Sequence, residues 1–173
     1  MIQSLQDIFR SEDSEQFDEA FDAYFKLYNM DKGDYEVWKH FYFFLWTAIE
    51  DAPSGFQDKI NLHHLLQLLL REGIQAFSDT ADFNFIAGYT VSIVPYEYGE
   101  YEDLESEGQQ MLLKATKLDP DNTIYRMAYL GSIPNVDKQI YQQAVIAAAP
   151  KVLKTFAGEG ALNKYFREIL YRL

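Results

Sequence analysis

The sequence predicts an all-α protein: an antiparallel bundle or array of about eight helices. Three observations carry this. Apolar residues recur at helical spacing along nearly the whole chain. Gly, Pro and Asp-rich breaks separate these stretches at short intervals. The one β-branched run, Thr90-Val91-Ser92-Ile93-Val94, has no partner strand nearby and is read as helix. Short loops between amphipathic helices make consecutive helices antiparallel neighbours. The 173 residues, 48% of them hydrophobic and 16% aromatic, suit one helical domain spanning 1–173.

The elements follow in order. Phe17, Ala20, Phe21, Tyr24, Phe25 and Tyr28 form one stripe, with Asp13 or Ser14 as cap and Lys32-Gly33 as stop. A helix starting at Asp34 carries Trp38, Phe41, Tyr42, Leu45, Trp46 and Ile49, and ends before Asp51-Ala52-Pro53-Ser54-Gly55. A third runs from about Asp58 to Gly73, where the glycine fits the residue after the last turn. Asp79 is a candidate cap for a fourth helix, closed by Pro95 to Gly99. A fifth spans about Glu100 to Leu118, with Leu104, Gly108, Met111, Leu112, Ala115 and Leu118 on one face. A short sixth spans Thr123 to Leu130. Asp137 to Ala149, Pro150 to Ala157 and Ala161 to Leu173 complete the chain, with Pro150 either opening a helix or lying within a longer one.

Composition excludes several functions. With no cysteine there is no disulfide, thiolate zinc site, iron–sulfur cluster or Cys nucleophile. No apolar run approaches the ~18 residues of a membrane span, and the opening Met1-Ile2-Gln3-Ser4-Leu5-Gln6-Asp7 is no secretory signal. A cytoplasmic protein is expected. The formal charge is −12 and unevenly spread. Residues 1–110 hold 6 Lys/Arg against 22 Asp/Glu, and residues 111–173 hold 9 against 5. Such an acidic surface repels nucleic acid and anionic lipid, so neither is an expected partner.

Catalytic and cofactor motifs are missing. His63 and His64 are adjacent, so on a helix they point about 100° apart and cannot share a metal; one is expected at the rim of the core and the other in solvent. His40 is expected at an interfacial position. Gly158-Glu159-Gly160 lacks the third glycine and the strand of a dinucleotide fingerprint and reads as a helix break. No phosphate-binding loop, nucleophile elbow or EF-hand loop occurs, and no cofactor is expected.

Two acidic clusters remain. Glu15, Asp18, Glu19 and Asp22 follow i, i+3, i+4, i+7 opposite the aromatic stripe, on one exposed ridge. Like charges at i,i+4 oppose helix formation by about 0.2–0.5 kcal/mol each, so the fold gains nothing from them. The second cluster, Glu97, Glu100, Glu102, Asp103, Glu105 and Glu107, is interleaved with Tyr96, Tyr98 and Tyr101. Tyrosines beside carboxylates combine apolar area with hydrogen bonds, as interface cores do; the other reading of the three rings is burial under neighbouring helices. The candidate partner-binding residues are therefore Tyr96, Glu97, Tyr98, Glu100, Tyr101, Glu102 and Glu105, then Asp18, Glu19 and Asp22.

Two resemblances add to this. The stretch Ala115-Thr116-Lys117-Leu118-Asp119-Pro120-Asp121-Asn122 resembles the end of a tetratricopeptide helix pair, which implies one helix hairpin; no second copy lies ~34 residues away. Phe83-Asn84-Phe85-Ile86-Ala87-Gly88-Tyr89, then Pro95-Tyr96-Glu97-Tyr98-Gly99, the acidic helix, and Gly160-Ala161-Leu162-Asn163-Lys164-Tyr165-Phe166 resemble small helical immunity proteins of bacterial contact-dependent toxin systems. That resemblance implies a non-enzymatic protein that neutralises a cognate toxin, often a basic nuclease, by covering its active site. The alternative expectation is a tetratricopeptide-like adaptor holding a peptide in a helical groove. A third class is a small-molecule binder or enzyme with a closed pocket, around His63, His64 or Trp46.

Overall fold

Several helices of this chain begin where a side-chain oxygen reaches the free N–H groups of a first turn. Ser4 and Asp7 form a reciprocal capping box on α1 (Leu5–Asp13). Asp34 caps α3 (Tyr35–Asp51), Asn122 caps α8 (Thr123–Ser132) and Asp137 caps α9 (Lys138–Thr155). Between them lie α2 (Phe17–Met30), α4 (Ser54–Lys59), α5 (Leu62–Phe77), α6 (Ala81–Ile93), a 3-10 turn (Pro95–Glu97) and α7 (Tyr101–Leu118), and α10 (Ala161–Leu170) follows. This computed structural model describes residues 4–99 and 101–171, with the side chains of Tyr101 and Glu102 outside the described set. Among the described residues there is no strand: the chain is all-α, with ten α-helices.

The differences from expectation have local causes. α1 lies outside the expected set, although Leu5, Ile8 and Phe9 follow the helical spacing i, i+3, i+4 behind the Ser4–Asp7 box. The stretch expected as one helix from Asp58 is two, broken at Ile60-Asn61. Gly73 does not end α5; it is buried within it, on the stripe Leu62, Leu66, Leu69 and Leu70 that continues to Phe77. Neither Asp13 nor Ser14 caps α2; its cap position is Gln16, with no side-chain bond. Likewise Thr80, not Asp79, precedes α6. α9 runs through Pro150, and Thr90-Ile93 is helical, with the Thr90 hydroxyl donating to the Ile86 and Ala87 carbonyls.

The chain divides into two compact units. Unit 1 is the residues up to Ala76 together with Ala157–Tyr165; unit 2 is Phe77–Phe156 together with the residues from Phe166 onward. In unit 1, α1 packs on α2 and α2 on α3. His40 to Trp46 are all buried, so α3 is enclosed on every side. Trp38 stacks on Tyr42 at 4.9 Å and donates its indole N–H to the Leu69 carbonyl at 2.9 Å. Tyr24 stacks on Phe41 at 5.5 Å. Each such side chain contributes roughly 1.5–3 kcal/mol by leaving water.

In unit 2, α6 packs on α7 and α8, and α8 packs on α7 and α9. Phe83 to Val91 are buried without interruption. Phe85 stacks on Tyr125 at 4.9 Å and lies 5.2 Å from Phe166, which stacks on Phe156 at 4.9 Å. Gly88 and Gly108 face one another where α6 crosses α7: a Cβ on Gly88 would lie 2.8 Å from the Gly108 carbonyl oxygen, and one on Gly108 2.7 Å from the Ser92 nitrogen.

Candidate functional site

The acidic ridge of unit 1 is built on α2. Most of its aromatic stripe turns inward, burying Ala20, Tyr24 and Tyr28, but Phe25, expected in that stripe, is exposed, as are Asp18, Glu19 and Asp22 on the outer side. Glu15, expected on this ridge, is not on the helix. It sits in the turn between α1 and α2 with φ +54°. There it closes α1: its N–H bonds the Glu12 carbonyl at 3.0 Å, and the Gln16 N–H bonds the Ser11 carbonyl at 2.9 Å.

The ridge holds a cation from its own unit. Lys59, at the end of α4, places its Nζ 3.0 Å from Asp18 Oδ1. The hydrogen bond to Asp18 and the negative field of Asp18, Asp22 and Glu19 push the ammonium above its ordinary pKa. Sequence spacing could not reveal this contact, which joins residues 41 positions apart.

The second group lies in unit 2 and is divided by burial. Tyr96 is 60% exposed, while Tyr98 is only 9% exposed. Tyr98, which follows the 3-10 turn, is therefore core, not a docking surface, while Tyr96 within the turn is exposed. Glu97 is half-buried, and Asp103 and Glu107 are exposed. Glu100 lies outside the described residues, as do the side chains of Tyr101 and Glu102. Glu105 is half-buried and lines a cavity of about 350 Å³. α6, α7, α8, α9 and the end of α10 form its walls, including Tyr89, Ser92, Met127, Tyr141 and Ile169. The residues of this cavity, Glu105 apart, are absent from the sequence-based candidates. Gly108, one turn after Glu105, is their only sequence signal, as a small residue on an apolar helical face.

The histidines depart from expectation. His63 and His64 are both exposed. His40 is buried, its ring 4.7 Å from Phe9 and its Nε2 3.8 Å from Glu36. Among the described residues no group of His, Asp and Glu is arranged to hold a metal ion, and no helix is long and apolar enough to cross a membrane.

One half-buried carboxylate lies outside the sequence-based candidates. Glu12 accepts the Tyr24 hydroxyl at 2.7 Å and the Ala161 N–H at 2.8 Å. Burial pushes its pKa up to about 7 against the pull of both hydrogen bonds, and neighbouring Asp13 adds to the rise. Burial, then Glu12 itself, pushes the Tyr24 phenol well up.

No protein-family model, characterised protein or solved structure matches this chain.

Proposed function

We propose that the protein is a non-enzymatic binding protein whose acidic surface docks on a basic protein partner. The resemblance to immunity proteins names the class of partner: a toxin domain, in its commonest form a nuclease, encoded beside it. The observation that carries the reading is the α2 ridge. Asp18, Glu19 and Asp22 project from one exposed helical face, contribute nothing to the core, and attract a lysine ammonium at hydrogen-bond distance. A nuclease holds phosphate with lysine and arginine, and the same carboxylates would pair with those groups and cover the cleft. In unit 2, Tyr96 supplies an exposed ring beside Glu97, the pairing of apolar area and charge found in interface cores. Unit 1 has seven Lys/Arg against fifteen Asp/Glu, and unit 2 has eight against twelve. Opposite fields would steer association toward ~10⁸ M⁻¹s⁻¹ at low salt.

The test uses the product of the reading frame directly upstream. A complex should form, and the partner's activity should fall in proportion to complex. Charge reversal of Asp18, Glu19 and Asp22 to Lys should leave the helical circular dichroism unchanged and slow association, as added salt does. No complex, or association insensitive to both changes, rejects the reading.

A further inference from the structure

We propose that the cavity of unit 2 is a binding site for a small organic cation, an ammonium or guanidinium group carried on an apolar body. It does not rest on the α2 ridge or on any protein partner.

Size comes first. About 350 Å³ falls at the lower end of the ~300–1,000 Å³ typical of small-molecule sites. The walls combine hydrocarbon from Ile93, Met127, Val145, Ile169 and Leu170, and the rings of Tyr89 and Tyr141, with nearly as much polar surface. That lining suits a ligand with both an apolar body and a polar head.

The polar groups select the sign of charge. Glu105 is the one ionisable carboxylate in the lining, and no lysine, arginine or histidine accompanies it. No hydrogen bond or ion pair joins Glu105 to another described residue. The two serine hydroxyls have already committed their protons. Ser92 donates to the Tyr89 carbonyl at 3.0 Å, and Ser132 donates to the Tyr129 carbonyl at 2.7 Å. Each therefore meets a ligand as an acceptor. A carboxylate, two acceptor hydroxyls and two aromatic rings suit a cation that donates hydrogen bonds and rests on π faces. An anionic ligand would meet Glu105 at a disadvantage of sign.

The site is also held in shape. Glu105 is one turn before Gly108, and Ser92 is one turn after Gly88, so the glycine crossing sets the separation of these two walls. Gln109 Nε2 donates to the Ser132 carbonyl at 2.8 Å and ties α7 to the end of α8. Gly131 leaves room for the Tyr141 ring, whose Cε2 would stand 3.3 Å from a Cβ at that position.

The experiment compares two probes of nearly equal shape on the full chain by calorimetry: 3-phenylpropylammonium and neutral 3-phenylpropanol. The wild type should bind the ammonium about tenfold or more tightly than the alcohol. Glu105→Gln, isosteric and neutral, should remove that preference while leaving alcohol binding and the helical signal unchanged. Val145→Trp, which fills the cavity, should abolish both. Equal binding of the two probes to the wild type, no binding of the ammonium, or an undiminished preference in Glu105→Gln overturns the proposal.

Discussion

Gly88 and Gly108 meet backbone to backbone: a Cβ on Gly88 would stand 2.8 Å from both the Gly108 carbonyl oxygen and the Leu112 nitrogen. Backbone atoms cannot swing aside as a side chain would. Gly→Ala ordinarily favours a helix by roughly 1 kcal/mol, but overpacking costs about 1–3 kcal/mol, and here the second effect should win. Gly88→Ala and Gly108→Ala should each lower the urea midpoint. An unchanged or raised midpoint would show that α6 and α7 can separate freely.

Glu12 should make stability depend on pH. Its pKa is about 7 in the folded protein against an ordinary 4.5, so folding binds a proton between these values. The stabilisation is fully present below pH ~4.5, declines as pH rises, and is gone above pH ~7, a span of about 3 kcal/mol. Glu12→Gln keeps an acceptor for Ala161 and stays neutral throughout. Urea titrations of wild type and variant across this range should diverge in that direction; parallel curves would rule it out.

Lys59 lies within the field of the ridge that the proposed partner would use. Replacing it with alanine removes an exposed ion pair, a kind that contributes little to stability, so the melting temperature should not move. Association with the cationic partner should become faster at low salt, because Asp18 is released. Slower association would mean that Lys59 itself contacts the partner.

Glu15 occupies the left-handed turn after α1, a place that favours glycine. Relief of strain of about 1–2 kcal/mol outweighs the greater freedom of glycine in the unfolded chain, about 0.4–1 kcal/mol. Glu15→Gly should therefore raise thermal stability modestly, and a loss would contradict the strain.

Asn122 accepts from the Ile124 and Tyr125 N–H groups at 3.1 and 3.3 Å. Asn122→Ala should destabilise by ~1 kcal/mol, and Asn122→Asp should restore most of it. An alanine variant as stable as the wild type would mean that water caps α8 equally well.

Helix class and most helix bodies were legible because apolar spacing is a local property. The Asp34 start, the break at Pro95 and the helical Thr90-Ile93 segment all follow from residues within a few positions. What escaped was decided by distant neighbours. Gly73 looks like a stop until packing is seen to bury it inside α5. Tyr96 and Tyr98 are indistinguishable by composition, and only the turn exposes one and buries the other. The ridge of Asp18, Glu19 and Asp22 was readable because exposure lies opposite an aromatic stripe. The cavity beside Glu105 was not, since five separate helices line it.

Unit 1 begins and ends far apart in sequence. Glu12 receives the Ala161 N–H, Phe9 lies against Gly160, and Tyr165 packs edge-on to Phe43 and Trp46. A ribosome releases α1 to α5 well before it delivers these last contacts, while all of Phe77–Phe156 is still being threaded out. Residues up to Ala76 thus wait, with a carboxylate and an aromatic surface uncovered, for Ala157–Tyr165 to arrive and seal them, and a nascent chain cut short before that stretch would never be sealed.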